Sequence, residues 1–199
     1  MAASSQMESV DSGSNSRARL LEIFKSRAVL FGQFTLASGK QSNYYINSKK
    51  ALFNAEAIWF LGDVLFELTR DMDIQAIGGL EVGAIPMATA AAMRFHEEGR
   101  RIEGFYVRKQ AKGHGSKELV EGIVRAGDRV AVVDDVLTTG GSVLQAIAEI
   151  ERLGAQVVAV ICIVDRLQGA RETLTPRYPY LPIFTIRDFG IEVSHLVQS

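Results

Sequence analysis

The chain contains a single cysteine, Cys162, so no disulfide can close within one copy, and a reducing, cytoplasmic setting is expected. Cys162 stands in the apolar run 157–164, where a free thiol behaves as a small core residue. An excess of one charge is also missing: 22 lysines and arginines stand against 23 aspartates and glutamates. No global field draws the protein to nucleic acid or an anionic membrane, so any anion site has to be built locally. No stretch approaches the roughly 18 uninterrupted apolar residues of a membrane span. The N-terminus lacks the charged region and apolar core of a secretion signal. Also absent are the Gly-Lys-Ser/Thr ending of a nucleotide-binding P-loop, a Gly-x-Gly-x-x-Gly after a strand, and any internal repeat.

What remains is a chain of 199 residues, 47% hydrophobic and 23% charged, suited to one globular domain with a substantial core. Residues 1–16 are rich in serine and small side chains and are expected to form a disordered tail ahead of a domain over 17–199. Leu20, Leu21, Ile23 and Phe24 have helical spacing within a first helix over 17–28. Short strands are expected at 34–36 and 44–47, joined by Ala37-Ser38-Gly39-Lys40. Asn54 can cap a helix reaching about Arg70, and Pro86 suits the first turn of an alanine-rich helix ending near Glu98. Further strands are expected at 75–79, 102–107, 129–135, 156–164 and 183–187, with a helix over 140–153 and a Pro-rich passage over 176–182. Strands alternating with helices predict an α/β fold, a central and mostly parallel sheet with helices on both faces. Ligands bind such sheets at the carboxyl ends of the strands. Residues 134–142, 78–83 and 165–166 all fall at such ends and should meet on one edge.

The most informative stretch is residues 130–142, Val-Ala-Val-Val-Asp-Asp-Val-Leu-Thr-Thr-Gly-Gly-Ser. A β-type run enters the carboxylates Asp134 and Asp135, continues through Val136 and Leu137, and turns through Thr138, Thr139, Gly140, Gly141 and Ser142 into an amphipathic segment. Backbone N–H groups and hydroxyls at a helix N-terminus can hold a phosphate monoester. Two carboxylates are poor neighbours for a phosphate but good acceptors for sugar hydroxyls. Together the two features fit a phosphorylated ribose. Adjacent residues on an ideal strand point to opposite faces, so both carboxylates reach one ligand only where the strand already bends into the loop.

Residues 132–142 resemble the phosphoribosyl pyrophosphate (PRPP) signature of the type I phosphoribosyltransferases. Three further segments resemble the orotate-specific branch of that family. They are Phe34-Thr35-Leu36-Ala37-Ser38-Gly39 with Ser42-Asn43-Tyr44-Tyr45-Ile46-Asn47, the loop Tyr106-Val107-Arg108-Lys109-Gln110-Ala111-Lys112-Gly113-His114-Gly115, and Val164-Asp165-Arg166. The resemblance covers nearly the whole chain beyond the tail. It implies the phosphoribosyltransferase fold with a small hood, and transfer of the 5-phosphoribosyl group from PRPP to orotate, a step of pyrimidine synthesis.

The resemblance also implies a role for each matched residue. Asp134 and Asp135 would take the ribose hydroxyls and Thr138–Ser142 the 5′-phosphate, with Val136 and Leu137 also at the PRPP site and Thr138 touching orotate as well. Arg108, Lys109 and Lys112 would gather charge on the pyrophosphate, whose own charge grows as the C1′–O bond breaks. His114, between two glycines, would deliver a hydrogen bond or proton to it near neutral pH. Arg166 would grip the orotate carboxylate with two parallel hydrogen bonds, and Tyr45 would line the pyrimidine pocket. Mg²⁺ is implied, held by substrate oxygens without a direct protein ligand. So is a homodimer whose loop closes over the neighbouring subunit's site, with no nucleic-acid or membrane partner and no fused decarboxylase.

Alternatives stay open at each position. The basic loop can be a solvated surface loop, Arg166 a salt-bridge partner of Asp165, and Tyr45 a plain core aromatic. His96 and His195 fit no motif. Two departures from the pattern matter: many relatives have lysine where this chain has Ala37 and Gly83, which shifts anion binding onto Arg108, Lys109, Lys112 and Arg166. A phosphoribosyltransferase for a purine, uracil or xanthine is one rival reading, although those bases offer Arg166 no carboxylate. A nucleotide-sensing RNA-binding regulator of the same fold is another, although such a protein should show a basic face.

Overall fold

A computed structural model describes residues 12–35, 41–110 and 118–192. The chain opens with helix α1 (Ser12–Arg27) and a hairpin of β1 (Val29–Thr35) and β2 (Gln41–Ile46), which stands apart as a two-stranded antiparallel sheet. A one-turn helix α2 (Lys49–Leu52) and a long helix α3 (Ala55–Thr69) follow. The main sheet is then built in order, as β3 (Ala76–Leu80), α4 (Ala84–Glu97), β4 (Glu103–Val107), β5 (Val120–Gly122), β6 (Arg129–Leu137), α5 (Gly141–Arg152), β7 (Gln156–Asp165), α6 (Ala170–Leu174) and β8 (Tyr180–Thr185). A 3₁₀ turn, Ile186–Phe189, comes after it.

The six strands lie in the order β5-β4-β3-β6-β7-β8, parallel throughout except for β5 on β4. The alternation along β6 divides the core in two. Ala131 and Val133 pack with α1, α3 and α4, whereas Val130 and Val132 pack with α5 and α6. This two-sided burial is why the strand reads as a continuous apolar run. Cys162 is fully buried on the α5 side with its Sγ 3.1 Å from the Tyr180 hydroxyl, and burial pushes its thiol pKa far upward. It is a core residue, as expected.

Local signals explain most element boundaries. Asn54 caps α3 by accepting from Ala57 N at 3.0 Å, a contact worth about 1 kcal/mol. The glycines of β3 let its neighbours close in: a Cβ on Gly78 or Gly79 would stand 2.0 Å from the carbonyl oxygen of Phe105 or Val133. Several boundaries differ from the sequence expectation, with β1 starting at Val29 and not Phe34, and β2 at Gln41 and not Tyr44. Helix α1 begins at Ser12, not Arg17, because Ser16 is buried and its hydroxyl donates to Asp63 at 2.7 Å; residues 1–11 lie outside those described. The last strand starts at Tyr180, inside the Pro-rich passage, since an edge strand tolerates Pro182. Strand β6 runs on to Leu137, so Asp134 and Asp135 sit within it and not in a bend.

Candidate active site at the carboxyl edge of the sheet

Strand order sets the layout of the edge. From β4 to β7 the carboxyl ends present Arg108, then residues 81–83, then Asp134 to Ser142, then Arg166. The chain leaves β3 toward β4 on one side, while β6 and β7 extend the sheet on the other. The crevice between such diverging connections is where open parallel sheets take their ligands.

The turn after β6 is held on both sides. Gly140 adopts φ +89° just before α5, a left-handed conformation that glycine takes without steric cost. The Thr138 carbonyl accepts from Ala170 N at 3.2 Å, and the Gly140 carbonyl accepts from Leu144 N at 3.1 Å. Thr139, Gly141 and Ser142 are exposed, so the first turn of this 12-residue helix is open to an anion.

The two carboxylates face opposite sides of β6. Asp134 accepts from Ser142 Oγ at 2.8 Å and from Asp135 N at 2.9 Å, which ties it to the start of α5. Asp135 points the other way, where the Ser48 hydroxyl donates to its Oδ2 and Lys49 Nζ approaches the same oxygen to 2.5 Å. Both are buried, with 7% and 6% of their surface exposed. Burial, reinforced by the Asp135 charge, pushes the Asp134 carboxyl up to about 7. Burial opposes ionisation of Asp135 too, but the Lys49 charge and the bonds from Lys49 and Ser48 outweigh it and hold that carboxyl below its ordinary value. One member of the pair is thus a firm anion at neutral pH, and the other is poised to carry a proton.

Gly83 completes this side. A Cβ there would lie 2.4 Å from Asp135 Cγ and Oδ1, so the carboxylate fills the space a side chain at 83 would need. Glu81, joined to Val82 by a cis peptide bond, accepts from Lys109 N at 2.9 Å. That bond ties the start of the basic loop to the turn after β3. Arg108 is half-buried, with its guanidinium 3.8 Å from Glu121. Ala37, Lys112, His114 and His195 lie outside the described residues, and His96 is exposed.

At the end of β7, Arg166 N donates to the Leu137 carbonyl at 2.9 Å, which joins this strand end to the β6 turn. The guanidinium lies 4.9 Å from the centre of the Tyr44 ring, and its Nε donates to the Tyr44 hydroxyl at 3.2 Å. The Asp165 salt bridge is not what forms. Asp165 Oδ1 accepts from Leu167 N at 2.8 Å, and among the described residues Arg166 pairs with no acid. The aromatic beside Arg166 is Tyr44 and not Tyr45, which is 43% exposed on the other face of β2 with its ring 5.6 Å from that of Phe34. Sequence reasoning therefore missed Tyr44, Ser48 and Lys49. Two adjacent lysines directly after a strand were the only visible hint of the last.

Comparisons with known proteins bear on the family of the chain. The phosphoribosyl transferase domain family matches residues 52–197. The orotate phosphoribosyltransferase of Corynebacterium glutamicum is 41% identical over 186 residues, spanning 93% of this chain and 100% of that protein. That of Thermococcus kodakarensis is 40% identical over 178 residues, 88% of this chain and 94% of that protein. Among solved structures, Mycobacterium tuberculosis orotate phosphoribosyltransferase in complex with PRPP superposes with a TM-score of 0.75 at 36% identity, covering 88% of this chain and 99% of that one.

Proposed function

The chain belongs to the phosphoribosyltransferase family, in its orotate branch, and from that premise we propose that it transfers the 5-phosphoribosyl group of PRPP to orotate, giving orotidine 5′-monophosphate and pyrophosphate for pyrimidine synthesis. The observation that carries the base specificity is Arg166. Among the described residues its guanidinium pairs with no acid, and braced by Tyr44 on the edge that holds the β6 turn it can take a planar carboxylate through two parallel hydrogen bonds.

In this reading Thr138–Ser142 hold the 5′-phosphate, and Asp134 and Asp135 take the ribose hydroxyls. Arg108 and Lys109, with Lys112 and His114 further along the loop, hold the pyrophosphate. The ring nitrogen of orotate gives up its proton and bonds to C1′ as the C1′–O bond breaks, and the bonding pair leaves on pyrophosphate, which can take up a proton. The transition state is oxocarbenium-like and needs no protein nucleophile. The basic loop gains most as that charge develops. Tyr44 and Thr138 complete the orotate pocket, and Tyr45 belongs to the hood surface around it.

The donors at the diol site are hard carboxylate oxygens, the kind that suits Mg²⁺, and Asp135 is ionised. Mg²⁺ carried on the oxygens of PRPP, with Asp135 beside it, would neutralise charge on the pyrophosphate. A homodimer sharing the loop fits the exposed Phe53, Trp59 and Met93, apolar surface that an assembly would cover. Among the described residues no helix is long and apolar enough to cross a membrane; a cytoplasmic enzyme acting on small substrates is the accompanying proposal.

Orotate-dependent pyrophosphate release in the presence of Mg²⁺ tests the assignment. Release with orotate is expected, and turnover of adenine or uracil but not orotate would sink it. Replacing Lys112 with Ala should lower kcat far more than it weakens PRPP binding.

A further inference from the structure

We propose that Lys49 is a substrate-binding residue that holds the anionic group on C1′ of the ribose while remaining paired with Asp135. This rests on reading the edge as a PRPP site, and it adds a residue that no motif on the chain assigns.

The argument starts from donors. A lysine ammonium has three N–H groups, and among the described residues Lys49 spends its contact on Asp135 Oδ2 alone, at 2.5 Å. Its side chain is 47% exposed, whereas that of Asp135 is 8% exposed, so the remaining donors are open to solvent beside the buried carboxylate. A purely structural ion pair here would gain little, because one partner is wet.

Position comes next. A carboxylate that accepts a ribose 2′- or 3′-hydroxyl lies one carbon or two from C1′, so a cation bonded to it lies beside the oxygens attached there. The pyrophosphate end is fixed independently, since Glu81 anchors the backbone of Lys109 to the turn carrying Gly83, and Gly83 abuts Asp135. Lys49 and the turn that anchors the start of the basic loop therefore meet at one carboxylate, the diol acceptor. Position 83 is a glycine here and supplies no cation, and a Cβ there would stand 2.4 Å from Asp135 Cγ and Oδ1, so a side chain would need that carboxylate to move. The chain brings a lysine to that carboxylate from α2 instead, reaching across 86 residues of sequence. A compact, rotatable ammonium suits a group with several equivalent oxygens better than a planar fork would.

The test compares two ligands that share the ribose and its 5′-phosphate and differ at C1′. Binding of PRPP and of ribose 5-phosphate is measured by calorimetry for the natural protein, Lys49→Met and Lys49→Arg. Lys49→Met should weaken PRPP roughly tenfold or more, the loss expected for a charged hydrogen bond, and change ribose 5-phosphate less than threefold. Lys49→Arg, which keeps the charge, should recover most of the PRPP affinity. In turnover, Lys49→Met should lower kcat/KM for PRPP and leave KM for orotate within about twofold. Equal loss with both ligands would overturn the proposal, reducing Lys49 to a brace for Asp135. So would unchanged PRPP binding, or a loss confined to KM for orotate. The two-ligand comparison involves no base, so an enzyme inactive toward orotate would refute the assigned reaction while this test still reads out.

Discussion

The two sides of strand β6 solve one problem in different ways. On the α5 side, Asp134 is enclosed by its own turn, bonded to Ser142 and to the next backbone N–H, and burial keeps its carboxyl near a proton. On the α2 side, Asp135 is as deeply buried but receives a cation and a hydroxyl from a distant segment, and it stays ionised. Neighbouring residues of one type thus carry different charge because strand geometry sends them into different surroundings. On the α5 side the frame of bonds to Asp134 comes from the local sequence, Ser142 and the next backbone N–H. The α2 side is an assembly that exists only once α2 and the turn after β3 have docked.

The most damaging way to break this contrast is Gly83→Ala. The added Cβ would displace the Asp135 carboxylate, and with it the contacts to Ser48 and Lys49, while leaving Asp134 untouched. A fall in kcat/KM for PRPP on the order of a hundredfold is expected, the scale that follows from misplacing a positioned group by about 1 Å. Steady-state kinetics with a parallel thermal melt checks it. Near-native kinetics would show that Asp135 has room to move.

Next in size is a pH signature that separates the two acids. Between the unfolded value of 3.8 and about 7, the folded state holds a proton on Asp134 that the unfolded chain has released. Stability contributed by that proton is complete below pH 3.8 and is lost as pH rises toward 7. Asp135 has the opposite sign: its stability is present above 3.8 and is lost as pH falls through its lowered value. Asp134→Asn should therefore gain on the natural protein by about 2 kcal/mol between pH 5 and pH 8, read by urea unfolding. Asp135→Asn should lose about 1 kcal/mol at neutral pH, since its lysine partner is half in water. The same trend for both variants would refute the division between the sides.

Which parts of this were legible in the sequence follows from the same distinction. The β-branched runs, the Asn54 cap and the Thr138-to-Ser142 turn are local, and their elements formed close to where periodicity put them. The pairing of Lys49 with Asp135 depends on strand order and on how α2 docks, neither of which is written near either residue. The start of α1 is hidden because a serine-rich stretch has the composition of a tail, while the Ser16–Asp63 contact ties it to α3. Strand β5 is three residues long and has no periodicity to read. The choice between Tyr44 and Tyr45 is a question of register, where a shift of one residue exchanges the faces.

Ser142→Ala probes the frame more gently. It removes the hydroxyl that donates to Asp134, at a cost of about 1 kcal/mol, and because that bond favours the ionised carboxyl, the Asp134 value should rise further. The stability loss from pH 5 to pH 8 should steepen accordingly, where a packing role alone would shift the whole curve without changing its slope.

The smallest effect decides the register question. In β2, Tyr44 pairs with Phe31 and Tyr45 with Leu30, so the rings leave the strand in opposite directions and only Tyr44 meets Arg166. Tyr44→Phe keeps the ring under the guanidinium and removes only the hydroxyl that accepts from Nε. Arg166 then loses one restraint on its orientation, a loss of under about 1 kcal/mol that raises KM for orotate some two- to fourfold and leaves KM for PRPP unchanged. Tyr45→Phe, on the exposed face, should leave both constants unaltered. A larger orotate effect from Tyr45→Phe would mean that the hood turns its other face to the base when substrate is bound, and would place Tyr45 in the pocket in place of Tyr44.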